Sequence, residues 1–351
     1  MKISTPNILF DEWTASSNKR YLNVIARFGE EEFNLGLVEV RGSATGENIS
    51  LLLKNKLNDF GIDLEKIKFI TADGAAVNKK VAKLKKLKIQ LCFNHAIHLA
   101  VCDILYSKGI ADEKIESDDE CPENDSLTDE NDEIPFSEIA PEIPHLNESS
   151  FANAVMKLRK LVATFRRSPS LESTLSETAS TNLQIDVKTR WNSLIIMIKS
   201  FLKIQVEVKL ALVKHQMEEL FPSKDDIAVL KSSVALLKLI SNAVVMLSER
   251  NCNLITADFI FTKLFNELEN ELPSQLRDAL IGALDRRIKQ RRTKYSDILF
   301  FLNERHFGIF ENRFYSPPNM EDLKEFIPIN TENVQIVQEE KRTFYTFCST
   351  I

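Results

Sequence analysis

The sequence predicts an α/β domain with a mixed sheet, followed by an all-α helical domain. Three observations support this prediction: short β-rich runs alternate with amphipathic helices up to residue 110, a dense acidic stretch follows, and the chain is then almost uninterrupted helix. We therefore expect four regions: a core at 1–110, a disordered acidic insertion at 111–150, a helical domain at 151–315 and an irregular, truncated tail at 316–351.

The elements of the core follow from short patterns. The β-rich runs NILFD, YLNVIARF and FNLGLVEV are separated by polar residues, which is typical of an antiparallel meander. A helix is expected to begin at Thr45 or Gly46 and to end at Gly61. Strand KIKFITAD, a helix from Ala75 to about Lys86, strand IQLCF and helix AIHLAVCDILY follow. This order, β-β-β-α-β-α-β-α, is the ribonuclease H-like topology.

The second half of the chain is predicted to form a helical bundle. Its apolar residues recur at helical spacing in five runs. The runs are FANAVMKLRKLVATFRR, WNSLIIMIKSFLKIQVEVKLALVKHQ, KDDIAVLKSSVALLKLISNAVVMLSER, TADFIFTKLFNELENEL and SQLRDALIGALDRRIKQRRTKYSDILFFL.

Charge is unevenly distributed along the chain. Residues 112–150 hold fifteen Asp or Glu and one Lys, a segment charge of -14 in a chain of net -6, so the remaining residues carry +8. A segment of such like-charge density repels itself and is expected to stay disordered. The basic remainder would attract a polyanion.

Composition also limits the cellular setting. The five cysteines are odd in number and scattered, which suits a reducing compartment better than a disulfide framework. No run approaches the roughly 18 consecutive apolar residues that span a membrane, and the start lacks a signal-peptide core. We therefore expect a soluble intracellular protein without a membrane partner.

Two aspartates follow apolar runs, Asp11 in NILFDEW and Asp73 in KFITADG. In the predicted topology the first and fourth strands are neighbours, so both carboxylates can reach one Mg²⁺, the hard cation that activates water and polarises a phosphodiester. The alternative is that both are ordinary strand-end or helix-cap residues, since Asp73 precedes Gly74 and a helix.

Cys92 and His95, in CFNHAIHLAV, form half of a zinc-binding pattern. His98 and Cys102 follow at helical spacing, but the sequence offers no second pair elsewhere. Zinc is therefore not expected. The alternative reading places Cys92 in the sheet and gives His98 a local packing role.

Three further features are candidates for nucleic-acid binding. Arg190 and Trp191, in KTRWNS, suit phosphate contact and base stacking, although Trp191 equally suits a core. Two basic runs suit phosphate contacts or, alternatively, are solvated helix faces. The first run contains Lys79, Lys80, Lys83, Lys85, Lys86 and Lys88, and the second Arg286, Arg287, Lys289, Arg291, Arg292 and Lys294.

Taken in order, these motifs resemble those of the hAT superfamily of transposases (hobo, Activator, Tam3). The matching segments are FDEWTASSNKRYLNVIARF, TGENI, FITADGAAVNKKVAKL, QLCFNHAIHLAVCDILY, KTRWNS and LSERNCNLITADFIF, which span residues 8 to about 270. Each segment is short, but their joint order and spacing are specific.

The resemblance implies a role for each matching residue. Asp11 and Asp73 match the first two catalytic aspartates and the Mg²⁺ ligands, Cys92 and His95 the Cys-x-x-His motif, and Arg190 with Trp191 the pair that handles cleaved DNA ends. It also implies a nuclear protein whose partner is DNA, with a second copy or a related full-length transposase as a protein partner.

The family's third acid is a glutamate in a Ser-Glu-Arg-x-Phe-Ser context, which this sequence does not contain. Ser248-Glu249-Arg250 imitates that string but precedes the LITADFIF match, so Glu249 is not assigned the role. We therefore expect a truncated or domesticated transposase that binds DNA with an incomplete catalytic acid set. The alternatives are an active Mg²⁺-dependent nuclease and a domesticated protein-interaction module.

Overall fold

The computed structural model describes residues 5–15, 17–29, 31–105, 150–186, 192–302 and 312–324. These residues belong to two compact units. The first draws on Met1–Leu99, Lys238–Leu272 and Leu284–Ile351, and the second on Ala100–Leu237 and Pro273–Ala283.

In this division the helices that the sequence analysis gave to one domain at 151–315 are shared between the two units. Helices from the last third of the chain make aromatic contacts with a β-strand and with the helix that begins at Phe93. The ring centroids of Phe93 and Phe261 lie 4.9 Å apart, and those of Phe69 and Tyr295 lie 5.0 Å apart. The predicted acidic insertion lies outside the described residues except for its last position, Ser150.

The first unit contains a five-stranded mixed sheet. Its strands are β1 (Asn7–Thr14), β2 (Arg20–Phe28), β3 (Glu31–Val40), β4 (Phe69–Ala72) and β5 (Lys88–Leu91). They are ordered β3-β2-β1-β4-β5, with antiparallel pairing among the first three and parallel pairing of β1 with β4 and β4 with β5. The predicted mixed sheet is confirmed, and the first and fourth strands are neighbours as expected.

Helices cover one face of this sheet. They are α1 (Gly46–Asn58) and α2 (Ala76–Lys85), while α3 (Phe93–Leu105) follows β5. Helix α1 begins where predicted, because Thr45 Oγ1 accepts a hydrogen bond from the Asn48 N–H at 3.2 Å. The core between sheet and helices includes Ile8, Phe10, Leu22, Val24, Ile49, Leu53, Leu57 and Val81, all at most 4% exposed.

Nine further α-helices lie within the described residues after position 149. They are α4 (Ser150–Arg167), α5 (Pro169–Ser176), α6 (Asn192–Lys203), α7 (Gln205–Lys214), α8 (Lys224–Leu247), α9 (Leu254–Asn270), α10 (Gln275–Lys289), α11 (Lys294–Leu302) and α12 (Met320–Lys324). Helix α5 was not predicted, although Ser168 caps it and Pro169 opens it, a sequence signal for a helix start.

Two helices that the sequence predicted as continuous are each divided. The first breaks at fully buried Ile204, whose φ of −120° and ψ of 26° leave helical geometry. The second breaks between Lys289 and Lys294, where the pattern RRTK carries helix formers but the chain turns. Periodicity did not detect either break, because the apolar spacing continues on both sides.

A buried ionic cluster holds the second break in place. Arg292 lies in the α10–α11 connection, and its Nη2 donates to Asp258 Oδ2 of α9 at 2.9 Å. Its Nη1 lies 2.7 Å from Asp297 Oδ1. Asn312 Nδ2 also donates to Asp258, at 2.8 Å. The side chains of Arg292 and Asp258 are 8% and 0% exposed, so hydrogen bonds replace their lost hydration.

The second unit has a core of its own, formed by the helices between residues 150 and 237. Its fully buried aromatic side chains include Phe165 and Phe201. A half-buried ion pair joins α4 to the segment after α5, where Arg159 Nε donates to Asp186 Oδ2 at 2.9 Å.

Within the described residues, Glu218–Leu247 is long and apolar enough to cross a membrane, with a mean hydropathy of 1.6 over an 18-residue window. Core helices of soluble proteins meet the same criterion. The sequence analysis expected no membrane-spanning stretch because it counted only uninterrupted apolar residues. Lys231 and Lys238 interrupt the apolar residues of this segment, so that count did not find it.

Substituting Asp258 tests the buried ionic cluster. Asp258→Asn keeps the shape but leaves the Arg292 guanidinium buried beside a neutral amide, so the free energy of unfolding should fall by about 3 kcal/mol. Urea denaturation measures this. The matched control is Glu267→Gln in the exposed Lys263–Glu267 pair, which should change stability by less than about 0.5 kcal/mol. Equal effects of the two substitutions would contradict the assignment.

Candidate metal and nucleic-acid site

The register of β1 and β4 brings the two aspartates together. Ile8 pairs with Ile70 and Leu9 with Thr71, and continuing this register by two residues places Asp11 opposite Asp73. Ile8 and Phe10 point into the core, so Asp11 lies on the opposite face of the sheet. The expected neighbouring carboxylates are therefore present in the structure.

The position of Asp11 within its strand differs from the prediction. Asp11 was expected at the end of the first strand, but β1 continues to Thr14 because it stays paired with β2 as far as Thr14 and Arg20. Strands β4 and β5 end at this level, at the register partners Ala72 and Leu91, and Asp73 directly follows β4. The pair therefore lies where the parallel half of the sheet ends.

Asp73 also has a local structural role just before α2, although it is not the helix cap of the alternative reading: the N-cap residue is Ala75, and no described side chain caps α2. Asp73 Oδ1 accepts hydrogen bonds from the Ala75 N–H at 2.9 Å and from Asn78 Nδ2 at 2.6 Å. These bonds fix the carboxylate at the start of α2. Because both involve Oδ1, the other oxygen remains available for a ligand.

Charge repulsion is concentrated at this pair. Partial burial raises the pKa of Asp11, and the nearby Asp73 carboxylate raises it further. The pKa of Glu12 is also raised, first by burial and then by Asp73 and Asp11, while Arg20 opposes the shift. Three carboxylates thus share one region of negative potential, which a divalent cation would relieve.

Asn23 lies beside the pair on β2. It is the register partner of Asp11, so both side chains lie on the same face of the sheet. The Oδ1 atom of Asn23 is buried and has no hydrogen-bond partner among the described residues. An unsatisfied amide oxygen next to two carboxylates suits the oxygen-rich coordination of a hard cation.

An aromatic pair with one exposed ring lies on the same face two residues further along β1. Trp13 is 39% exposed and pairs in register with Tyr21 of β2, with ring centroids 6.0 Å apart. Exposed rings of this kind can stack on unpaired bases.

Cys92 and His95 lie on the β5 side of the aspartates, whereas Asn23 lies on the β2 side. Cys92 follows β5 directly, and its N–H donates to the Ala72 carbonyl oxygen at 2.7 Å. His95, in the first turn of α3, has a pKa lowered by burial and then by the positive charge of Arg291. The His95 and His98 ring centroids lie 5.8 Å apart. Burial and His95 lower the pKa of His98 as well.

A buried arginine completes the surroundings of Asp73. Arg291 comes from the α10–α11 connection and is 6% exposed. Its Nη2 would lie only 2.9 Å from a Cβ atom at Gly74, so glycine is what permits this close approach. Burial lowers the pKa of Arg291 and Arg287 lowers it further, while Cys92 and Asp73 oppose that shift.

The other predicted site residues are placed as follows. Lys79, Lys80 and Lys83 are exposed on α2, and Lys80 Nζ forms an ion pair with Glu47 Oε1 at 3.0 Å. Arg190 and Trp191 lie outside the described residues.

Ser248, beside Glu249, accepts a hydrogen bond from Asn94 Nδ2 at 2.9 Å. Glu249 is not among the charges that shift the pKa of Asp11.

The donor set fits one hydrated Mg²⁺ and no more. Asp11 and Asp73 supply two carboxylates and Asn23 a neutral oxygen, and Mg²⁺ commonly keeps several waters beside one or two carboxylates. In the described part of the chain, no group of three or more His, Cys, Asp or Glu side chains could hold a metal ion. Glu12 adds charge without completing such a group.

Sequence reasoning missed Asn23, Trp13 and Glu12. A lone asparagine inside the apolar run YLNVIARF was the signal for Asn23, and Glu12 and Trp13 directly follow Asp11. Arg291 was recognised only as one member of a basic run, since nothing in that run distinguishes a buried arginine from a solvated one.

No protein-family model matches this chain, and no curated protein matches it significantly. The resemblance to hAT transposases therefore rests on the motifs themselves.

Substituting Asp11 tests its electrostatic environment. The pKa of Asp11 is raised above its ordinary 3.8, so ionisation destabilises the folded protein, and stability falls as the pH rises from 3.8 through the folded-state pKa. Asp11→Asn should therefore raise the free energy of unfolding at pH 7 by about 0.5 kcal/mol, a small gain because solvent screens this exposed group.

The same substitution should have no effect at pH 3, where the wild-type carboxyl is already neutral. Urea denaturation at both pH values measures the difference. Glu31→Gln, which removes an exposed carboxylate from edge strand β3, should give no gain at pH 7. A loss of stability from Asp11→Asn at pH 7 would contradict the assigned repulsion.

Proposed function

We propose that this chain is a nucleic-acid-binding protein derived from a hAT-type transposase, with a ribonuclease H-like domain whose catalytic acid set is incomplete. The observation that carries the proposal is the alignment of Asp11 with Asp73 on neighbouring strands. The hydrogen bonds from Ala75 and Asn78 alone would explain Asp73, but they do not explain why a second carboxylate with a raised pKa lies opposite it.

The sheet supports the proposed fold family. Three antiparallel strands lead into two parallel ones in the order β3-β2-β1-β4-β5, with helices between the later strands. This is the arrangement that the ribonuclease H-like topology requires, and it puts the first and fourth strands at the centre, where both aspartates lie.

Magnesium would be held by Asp11 and Asp73, with the Asn23 amide oxygen beside them. Once bound, the ion would polarise a phosphodiester and lower the pKa of a bound water. The hydrogen bonds from Ala75 and Asn78 keep the Asp73 carboxylate oriented without the ion. Two carboxylates provide fewer ligands than the family's three, so binding is favoured over cleavage.

Features around the pair support a nucleic-acid ligand. Trp13 offers an exposed ring, with the partly buried Tyr21 beside it, on the same face of the sheet as Asp11, where an unpaired base could stack. Lys79 and Lys83 lie one helical turn apart on exposed positions of α2, the helix that begins three residues after Asp73. Phosphates can therefore contact cations close to the candidate metal site.

The family resemblance extends the proposal beyond the site. A nuclear location, a DNA partner, and a second copy or related full-length transposase as protein partner all follow from it and remain predictions. The second candidate function is an active Mg²⁺-dependent nuclease. It is favoured by Asn23, whose unsatisfied oxygen could replace the missing third acid in holding the ion.

Removing the two α2 lysines tests nucleic-acid binding. Lys79→Ala with Lys83→Ala should weaken binding of a fluorescent oligonucleotide about tenfold and reduce the slope of log affinity against log salt by about 2, since each phosphate contact contributes roughly 0.9. Fluorescence anisotropy across a salt series measures both. Lys66→Ala, an exposed lysine before β4, is the control. If the double variant behaves like Lys66→Ala, α2 does not contact the ligand.

Substituting Asp73 separates binding from cleavage. Asp73→Asn keeps an oxygen that can accept from Ala75 but removes one charge, so oligonucleotide affinity should stay equal or rise slightly through lost repulsion. Neither wild type nor variant should nick supercoiled DNA in Mg²⁺ or Mn²⁺. Nicking by the wild type that Asp73→Asn abolishes would instead establish the nuclease.

A further inference from the structure

The connection between α10 and α11 is fastened to the sheet by one side chain. Gln90, the third residue of β5, donates through Nε2 to the Arg291 carbonyl oxygen at 3.0 Å. Its Oε1 accepts from Thr293 Oγ1 at 3.1 Å. One hydrogen bond on each side of Arg292 thus attaches the connection to β5.

The Arg291 side chain in this connection lies near Asp73. The guanidinium lies against Gly74, the residue after Asp73, and only 6% of Arg291 is exposed. Its Nε is buried without a hydrogen-bond partner, and within the described residues no ion pair joins Arg291 to a carboxylate. By contrast, the next residue, Arg292, is fully paired with Asp258 and Asp297.

A buried guanidinium whose Nε lacks a hydrogen-bond partner costs free energy. Asp73 offsets part of that cost through its charge, but it is already hydrogen-bonded to Ala75 and Asn78. The donor fork of arginine matches the oxygens of a phosphate, and such charge-assisted bonds are stronger than neutral ones. An anionic ligand beside Asp73 would therefore accept hydrogen bonds that the Arg291 guanidinium does not make within the described part of the protein.

We propose that Arg291 is a phosphate-binding residue that holds a backbone phosphate of the nucleic acid next to the Asp11–Asp73 pair. This inference rests on the proposed function and names how that site recognises its ligand. The carboxylates repel a phosphate until a cation neutralises them. The contribution of Arg291 to affinity therefore depends on Mg²⁺.

Oligonucleotide binding with and without Mg²⁺ tests the proposal. Fluorescence anisotropy is measured for the wild type, for Arg291→Met, which keeps length but loses charge, and for Arg291→Lys. In Mg²⁺, Arg291→Met should bind about tenfold more weakly, with the salt slope reduced by about 1. In EDTA the two proteins should bind within about twofold of each other. Arg291→Lys should recover part of the affinity, because it restores charge but not the fork.

Lys289→Met is the matched control, since Lys289 belongs to the same basic run but is exposed and pairs with Asp285. It should lose affinity equally in Mg²⁺ and EDTA. Thermal denaturation should show Arg291→Met to be at least as stable as the wild type, because the variant buries no unpaired charge.

Three outcomes would overturn the phosphate role: equal effects of Arg291→Met and Lys289→Met, a loss that is the same in EDTA, or tighter binding by Arg291→Met. The last would make Arg291 an internal counter-ion of the aspartates. Failure of the wild type to bind any oligonucleotide in a salt-dependent way would defeat the proposed function itself. Binding that is merely indifferent to Arg291 defeats only this inference.

Discussion

The parallel pairing of β1 with β4 is the constraint on which the candidate site depends. A shift of one residue in this pairing would move Asp11 out of line with Asp73. The register is held because Ile8 and Ile70 are both completely buried on the opposite face, so a slip would expose the core. Core packing on one face thus positions two repelling carboxylates on the other.

The structure tolerates the repulsion between the Asp11 and Asp73 carboxylates because neighbouring groups hold Asp73 in a fixed orientation. Ala75 and Asn78, at the start of α2, donate hydrogen bonds to Asp73 and hold its carboxylate in place. A connection that Gln90 attaches to β5 places Arg291 next to Gly74. Gly74 leaves the space that the guanidinium occupies. The buried Arg292–Asp258 pair stabilises the same connection from the side of α9. Arg292 and Arg291 are therefore adjacent in sequence but differ in their surroundings. Arg292 pairs with Asp258 and Asp297, whereas Arg291, the candidate phosphate-binding residue, has no ion pair with a carboxylate among the described residues.

Local patterns predicted the strands, the start of α1 and the neighbouring aspartates, since alternation, caps and strand order are short-range properties. They did not predict the turn at Arg291, because helical spacing continues across it and the turn is held by contacts with β5 and α9. The lone asparagine in YLNVIARF was visible in the sequence, but no local pattern connects Asn23 with the aspartates. Its significance comes from a register partner twelve positions earlier in the chain, Asp11.

The most direct test of the account is a crystal soaked in Mn²⁺ and examined by anomalous diffraction. We expect one anomalous peak between the carboxylates of Asp11 and Asp73. The distance from the ion to the carboxylate oxygens should be roughly 2.1 Å, as is typical of small divalent cations, and the Asn23 oxygen should be turned toward the ion. Saturating Mn²⁺ with no peak there, or a peak held by other residues while these carboxylates lie apart, would contradict it.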